Sequence, residues 1–213
     1  MPRAASTALN PGIKHLGEAF RHFESDGRFE AGVAALRLLL FTGARLREIL
    51  HLRWDHVDFE RGLLLLPDSK TGRKAITLSA PALAVLQSLE RIGAFVMPSA
   101  NPDTPRADLN KPWAAVIEAA SLPGQRIHDL RHSFASVGAG AGLGLPIVGK
   151  LLGNTQAATT QRYAHLDADP IRRAADAIGA TIAVALDGAE PTALSRHWTR
   201  GDLRLIDGFL RSR

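Results

Sequence analysis

The sequence predicts a mainly α fold with a small antiparallel β-sheet, of the α+β class. Apolar residues recur at helical spacing through most of the 213 residues, and the longest such stripe runs from Ile171 to Ala185. A short apolar run at Gly62–Pro67 and a second run at Lys74–Leu78 flank a turn at Asp68–Gly72, which predicts a two-stranded ribbon. We therefore expect several helices packed around one small ribbon.

The elements follow from local signals taken in chain order. Residues 1–12 are small and polar and predict a flexible lead-in, and Ile13–Phe23 then has helical spacing. Further helices are expected near residues 29–41, 46–52, 81–92, 112–120, 128–139, 146–152, 156–162 and 171–185. These boundaries predict one folded domain over residues 13–186. Residues 187–213 form an arginine-rich tail in which a short amphipathic helix is expected.

Composition excludes several classes of protein. A hydrophobic content of 46% and a charged content of 22% are typical of a globular chain. No apolar run of membrane-spanning length and no apolar signal segment at the start occur, so we expect no membrane association and a cytoplasmic protein. The chain has no cysteine, which excludes disulfides, thiolate metal ligands and cysteine nucleophiles.

The charge balance favours an anionic partner. The formal net charge is +5, and arginine supplies 21 of the 26 basic residues. Guanidinium groups present several fixed donors to phosphate oxygens, so the composition is typical of a protein that binds a polyanion. Arginine-rich codon usage explains the same composition equally well.

Three superficial motif matches do not carry chemistry. The glycines of Gly138–Gly144 follow no strand, and Gly149 and Lys150 precede Leu151 where a phosphate-binding loop needs Ser or Thr. His128 and His132 have the spacing of zinc ligands, but the zincin motif needs glutamate where Asp129 stands. Ser133 lacks the flanking glycines of a hydrolase nucleophile. We expect no metal site.

A dispersed set of residues fits phosphodiester transesterification. The set consists of Arg45, Lys70, His128, Arg131 and the only tyrosine, Tyr163. A phenol is only about 0.1% ionised at neutral pH, so an attack on phosphorus needs a proton acceptor. Paired guanidinium groups stabilise the negative charge that develops on the phosphate, and a lysine with a lowered pKa can protonate the leaving oxygen.

Each of these residues also has a purely structural reading. The alternatives are ion pairs of Arg45 with Glu48 or Asp55 and of Arg131 with Asp129 or Glu118, a solvated turn for Lys70, helix capping for His128, and a core position for Tyr163. Asn154, which precedes Tyr163 by nine residues, fits a helix C-cap.

Four segments in order resemble the catalytic domain of the tyrosine recombinases, the phage-integrase family, whose chemistry is related to that of type IB topoisomerases. The segments are TGARLREIL, SKTGRKAITL, IHDLRHSFAS, and LLGN followed after eight intervening residues by YAH. The resemblance runs from Phe29 to Pro170. It implies the tyrosine-recombinase catalytic fold and site-specific DNA recombination, in integration or excision, with no metal or nucleotide cofactor.

The resemblance also implies a role for each matching residue. Arg45 and Arg131 are expected to clamp the scissile phosphate, and His128 to accept the proton of the nucleophile. Lys70 is expected to protonate the leaving 5′-oxygen, and Tyr163 to form a 3′-phosphotyrosyl bond. Glu48 occupies the position of an acidic residue that supports the site.

Asn154 departs from the family pattern, which has histidine or tryptophan at this position. An amide can donate a neutral hydrogen bond to phosphate but carries no charge. The exchange is expected to cost on the order of 1 kcal/mol, or about fivefold in rate. We therefore expect a competent but slowed enzyme.

The resemblance has further implications for partners and alternatives. Family members bind double-stranded DNA, assemble as tetramers on it and exchange C-terminal helices, and they carry an N-terminal clamp domain that is expected to be absent here. The rival hypotheses are a catalytically impaired DNA-binding relic and a helical protein-interaction domain.

Overall fold

The computed structural model describes residues 9–69, 72–153 and 168–189. Within these ranges eight α-helices surround a three-stranded antiparallel sheet, which confirms the predicted fold class. The helices are α1 (Leu9–Ser25), α2 (Glu30–Thr42), α3 (Leu46–Leu50), α4 (Ala80–Ser88), α5 (Asn110–Ala119), α6 (Asp129–Gly140), α7 (Leu145–Leu151) and α8 (Ala168–Leu186). The strands are β1 (Val57–Asp58), β2 (Leu63–Ser69) and β3 (Gly72–Thr77).

Two predicted boundaries are corrected. Helix α1 begins at Leu9, inside the segment predicted to be a flexible lead-in. Pro11 is compatible with this start because the first N–H groups of a helix have no partner within it. Helix α4 ends at Ser88 rather than near Ile92, whose side chain is exposed. The helix expected at 156–162 and the tail after residue 189 lie outside the described residues.

The sheet places one lysine on the inward side of the predicted ribbon. Leu64 pairs with Ile76 and Leu66 pairs with Lys74 across the β2–β3 hairpin. All four residues are buried, whereas Leu65 between them is exposed. Because side chains alternate between the two faces of a strand, Lys74 shares the core face with Ile76.

The last described helix completes the core. Helix α8 packs against α1, α2, α4, α6 and α7, and Ile171, Ile178 and Ile182 of its apolar stripe are buried. The stripe therefore belongs to the core of its own chain. Among the described helices, none combines the length and the hydropathy that a membrane crossing needs.

Candidate active site

A tight turn between α2 and α3 positions Arg45. Gly43 ends α2 with φ of 62°, and its N–H donates to the carbonyl of Leu39 at 3.0 Å. A Cβ atom at Gly43 would lie 2.7 Å from side-chain atoms of both Leu152 and Phe134, so only glycine fits this position. Arg45 follows as the N-cap of α3, and its side chain is 38% exposed.

Glu48 is held by Arg45 from within the same turn. The backbone N–H of Arg45 donates to Oε2 of Glu48 at 2.8 Å, and Nη1 of Arg45 lies 3.4 Å from Oε1. The predicted structural reading of Arg45 as a partner of Glu48 is thus correct, whereas Asp55 pairs with Arg53 at 3.1 Å. The long side-chain contact leaves the Arg45 guanidinium only loosely engaged.

Lys74 reaches Glu48 from the hairpin. Its Nζ lies 2.9 Å from both carboxylate oxygens of Glu48. Burial would raise the pKa of Glu48, but Lys74, by its charge and its hydrogen bond, and Arg45 outweigh burial and lower that pKa below its ordinary 4.5. Burial, partly opposed by Glu48, lowers the pKa of Lys74 below 10.5, and the charges of Arg131 and Arg45 add to this effect.

Arg131 links the turn before Arg45 to the end of α7. It lies on the buried stripe of α6 with Phe134, and its side chain donates to the carbonyls of Gly43 and, at 3.0 Å, Leu152. Burial, followed by the charge of Arg45, lowers the pKa of Arg131 to about 10, and Glu48 opposes the shift. The guanidinium therefore stays charged at neutral pH in a fixed orientation.

His128 precedes α6 on the same turn as Arg131. It occupies the predicted capping position of α6, but its side chain makes no capping bond. Its ring contacts that of His132 edge-on, with centroids 5.0 Å apart. Burial and then the charges of His132 and Arg131 lower the pKa of His128 below 6.5, and a histidine with a lowered pKa is neutral at pH 7 and able to accept a proton.

The structure thus brings Arg45, Glu48 and Arg131 together, with His128 on the turn that leads to Arg131. Lys70, Asn154 and Tyr163 lie outside the described residues, so their expected roles stay predictions. Within the described part of the chain, no cluster of three His, Asp or Glu side chains could hold a metal ion.

Sequence reasoning missed Lys74. Its alternation with Ile76 and Leu78 was the available signal, because period-2 spacing puts all three residues on one face of a strand. A lysine on the core face of a strand requires a buried anion, and Glu48 is the partner it has.

The Phage integrase family model matches residues 29–169, about two-thirds of the sequence. The chain belongs to the phage integrase family. Among curated relatives, this integrase-family chain is 28% identical over 147 residues to tyrosine recombinase XerA of Pyrococcus furiosus, covering 65% of this chain and 51% of that protein. It is 26% identical over 149 residues to the integrase of Salmonella phage P22, covering 62% of this chain and 38% of that protein. The chain therefore spans about half or less of the length of these relatives.

Solved structures of an integrase and of a site-specific recombinase share the fold of this family member. The integrase from mycobacterium phage Brujita superposes with a TM-score of 0.61 at 18% identity, covering 97% of this chain and 65% of that one. XerH site-specific recombinase bound to its difH substrate superposes with a TM-score of 0.60 at 20% identity, covering 78% of this chain and 51% of that one. These likenesses confirm the expected tyrosine-recombinase catalytic fold.

Proposed function

We propose that this chain is the catalytic part of a site-specific DNA recombinase that cuts and rejoins strands through Tyr163. The observation that carries the proposal is the convergence of Arg45 and Arg131, which come from segments 86 residues apart, around Glu48 and Lys74. Three cations against one carboxylate make this described part of the site suited to an anion. Proteins named as recombinases, one of them a site-specific recombinase bound to its difH substrate, support a phosphodiester as that anion.

The proposed step is a transesterification. The Tyr163 oxygen bonds to phosphorus as the bond from phosphorus to the 5′-oxygen breaks. His128 takes the phenol proton and Lys70 gives a proton to the 5′-oxygen, leaving a 3′-phosphotyrosyl bond and a free 5′-hydroxyl. Arg45 and Arg131 stabilise the charge on the non-bridging oxygens. Rejoining is the reverse reaction and consumes no cofactor.

Covalent capture tests this proposal. Duplexes with a randomised segment and a nick just 3′ of it allow the short 5′-hydroxyl fragment to diffuse away, so any cleaved strand stays attached to the protein. We expect adducts that resist SDS from the full chain and none from Tyr163→Phe, which should retain DNA in a gel as the parent does. Sequencing the captured strands identifies the target for later experiments.

Two results would contradict the proposal. Adducts that form equally with Tyr163→Phe would exclude this nucleophile. DNA retention without adducts from the parent chain would favour the DNA-binding relic instead, and the absence of both would favour a protein-interaction domain.

We also propose that Asn154 makes cleavage slower than histidine would. A neutral amide replaces a charge-assisted donor to the phosphate, so Asn154→His should raise the cleavage rate about fivefold. Asn154→Ala is the matched control and should lower the rate, because it removes the donor altogether. Single-turnover cleavage of the selected duplex measures both, and an unchanged or lower rate for Asn154→His would contradict the idea.

Assembly on DNA is part of the same proposal. We expect self-association on DNA, with a tetramer at synapsis as in the family. Exchange of C-terminal helices between subunits on DNA is part of this expectation.

A further inference from the structure

Both carboxylate oxygens of Glu48 contact the cationic residues Lys74 and Arg45. Its Oε1 lies against Nζ of Lys74 at 2.9 Å and Nη1 of Arg45 at 3.4 Å. Its Oε2 accepts from Nζ of Lys74 at 2.9 Å and the backbone N–H of Arg45 at 2.8 Å. A carboxylate has about four acceptor positions, so little capacity is left for a closer approach of the Arg45 guanidinium.

The two cations differ in exposure. The Lys74 side chain is 5% exposed and that of Glu48 is 10% exposed, whereas Arg45 is far more open. Lys74 is therefore committed to Glu48, and the shared carboxylate leaves the Arg45 fork largely available to a ligand. Without Lys74, two acceptor positions on a buried carboxylate would open, and the nearest cation able to fill them is Arg45.

Lys74 also contacts Gly153, which directly precedes Asn154 in the chain. Gly153 has φ of 71°, and a Cβ atom there would overlap Cε of Lys74 and lie 2.9 Å from its Cδ. The lysine stem thus packs under the backbone that leads toward Asn154 and Tyr163.

We propose that Lys74 is a positioning residue that neutralises Glu48 and thereby keeps the Arg45 guanidinium free to bind the scissile phosphate. The proposal rests on the proposed function for its consequence in catalysis, but the position of Arg45 can be measured without it. Lys74 acts through Glu48 and Arg45, in contrast to Lys70, which is expected to give a proton to the leaving oxygen.

The central variants are Lys74→Met, which keeps the stem and removes the charge, and the double variant Lys74→Met with Glu48→Gln. In Lys74→Met, Arg45 should swing onto Glu48, and the double variant should release it because a neutral amide attracts a guanidinium weakly. Arg37→Met is the matched control. It breaks another ion pair, that of Arg37 with Glu24 at 2.7 Å, between α1 and α2.

Substrate chemistry separates positioning from a merely structural role. A methylphosphonate at the scissile position of the selected duplex removes the charge that Arg45 serves. On the ordinary phosphate, Lys74→Met should cleave at least about tenfold more slowly than the parent. On the methylphosphonate, its cleavage rate should lie within about twofold of the parent's rate. Arg45→Ala should show the same pattern, the double variant should recover part of the rate, and Arg37→Met should show no substrate dependence.

A sulfur leaving group separates positioning from proton donation. A 5′-bridging phosphorothiolate leaves without needing a proton, so it should restore cleavage by Lys70→Ala and not by Lys74→Met. The proposal would be overturned if the phosphorothiolate restored the cleavage rate of Lys74→Met. It would also be overturned if Lys74→Met lost the same fraction of its cleavage rate on the phosphate and on the methylphosphonate.

A measurement without DNA tests the role of Lys74 independently of the proposed function. The Arg45 Nε–H resonance in ¹⁵N NMR should shift in Lys74→Met, return toward the parent position in the double variant, and stay unchanged in Arg37→Met. If the parent chain forms no adduct with any duplex, the proposed function fails while this resonance still decides the role of Lys74. An Arg45 resonance unaffected by Lys74→Met would overturn the inference.

Discussion

At the scale of single residues, burial and neighbouring charge assign different tasks to similar groups. Arg131 is 5% exposed and donates to two backbone carbonyls, so its orientation is set before any ligand arrives. Arg45 is more open and is tethered mainly through its backbone. A fixed donor beside an adjustable one suits a phosphate whose charge increases during reaction.

The pKa of His128 gives a prediction at the same scale. Burial, His132, Arg131 and Arg126 lower it, and Asp129 opposes them. If His128 is the proton acceptor, cleavage is lost as the pH falls through this pKa, and the acid limb of the rate should lie below pH 6.5. His132→Gln removes the repulsion from His132, so it should raise the pKa of His128 and move the acid limb to higher pH.

Single-turnover cleavage by the parent and the variants from pH 5 to 8, under otherwise identical conditions, measures this shift. His22→Gln, on α1, is the control and should leave the limb in place. A limb that stays fixed or moves to lower pH in His132→Gln would exclude His128 as the titrating group.

At the scale of elements, regular helices were predictable and irregular connections were not. Repeated apolar spacing predicted α2, α6 and α8 because their buried faces extend over three or more turns. The two-residue strand β1 has too few residues for any period, and it exists because it pairs with β2.

In the candidate site, likewise, the residues could be predicted from the sequence, but the contacts between distant segments could not. The segments that resemble the family predicted Arg45, Glu48, His128 and Arg131 as functional residues, because each lies in one of those segments. The contact between Arg131 and Gly43 joins residues 88 apart in sequence, and only the packing of α6 on α2 creates it. The burial of Lys74 likewise depends on where the hairpin meets α3.

At the scale of the whole molecule, the first and last described helices close the fold. Helix α1 precedes the residues that the family model matches and α8 extends beyond them, yet the two pack together. Arg21 of α1 donates to the carbonyl of Leu186 at 2.8 Å, which satisfies an acceptor at the end of α8. The core under the candidate site therefore depends on segments outside the family motifs.

Gly17 lies at a close contact between these two helices, and it gives the final prediction. A Cβ atom at Gly17 would overlap the backbone carbonyl of Leu186, whereas at Gly12 of the same helix it would meet only Leu122 side-chain atoms at 4.0 Å. Gly17→Ala should lower the free energy of unfolding by about 1–3 kcal/mol, because backbone cannot move aside as a side chain can. Gly12→Ala should leave it unchanged or raise it by up to about 1 kcal/mol, through the better helix propensity of alanine. Urea unfolding followed by circular dichroism compares the two, and equal stabilities would mean that α1 and α8 do not meet at Gly17.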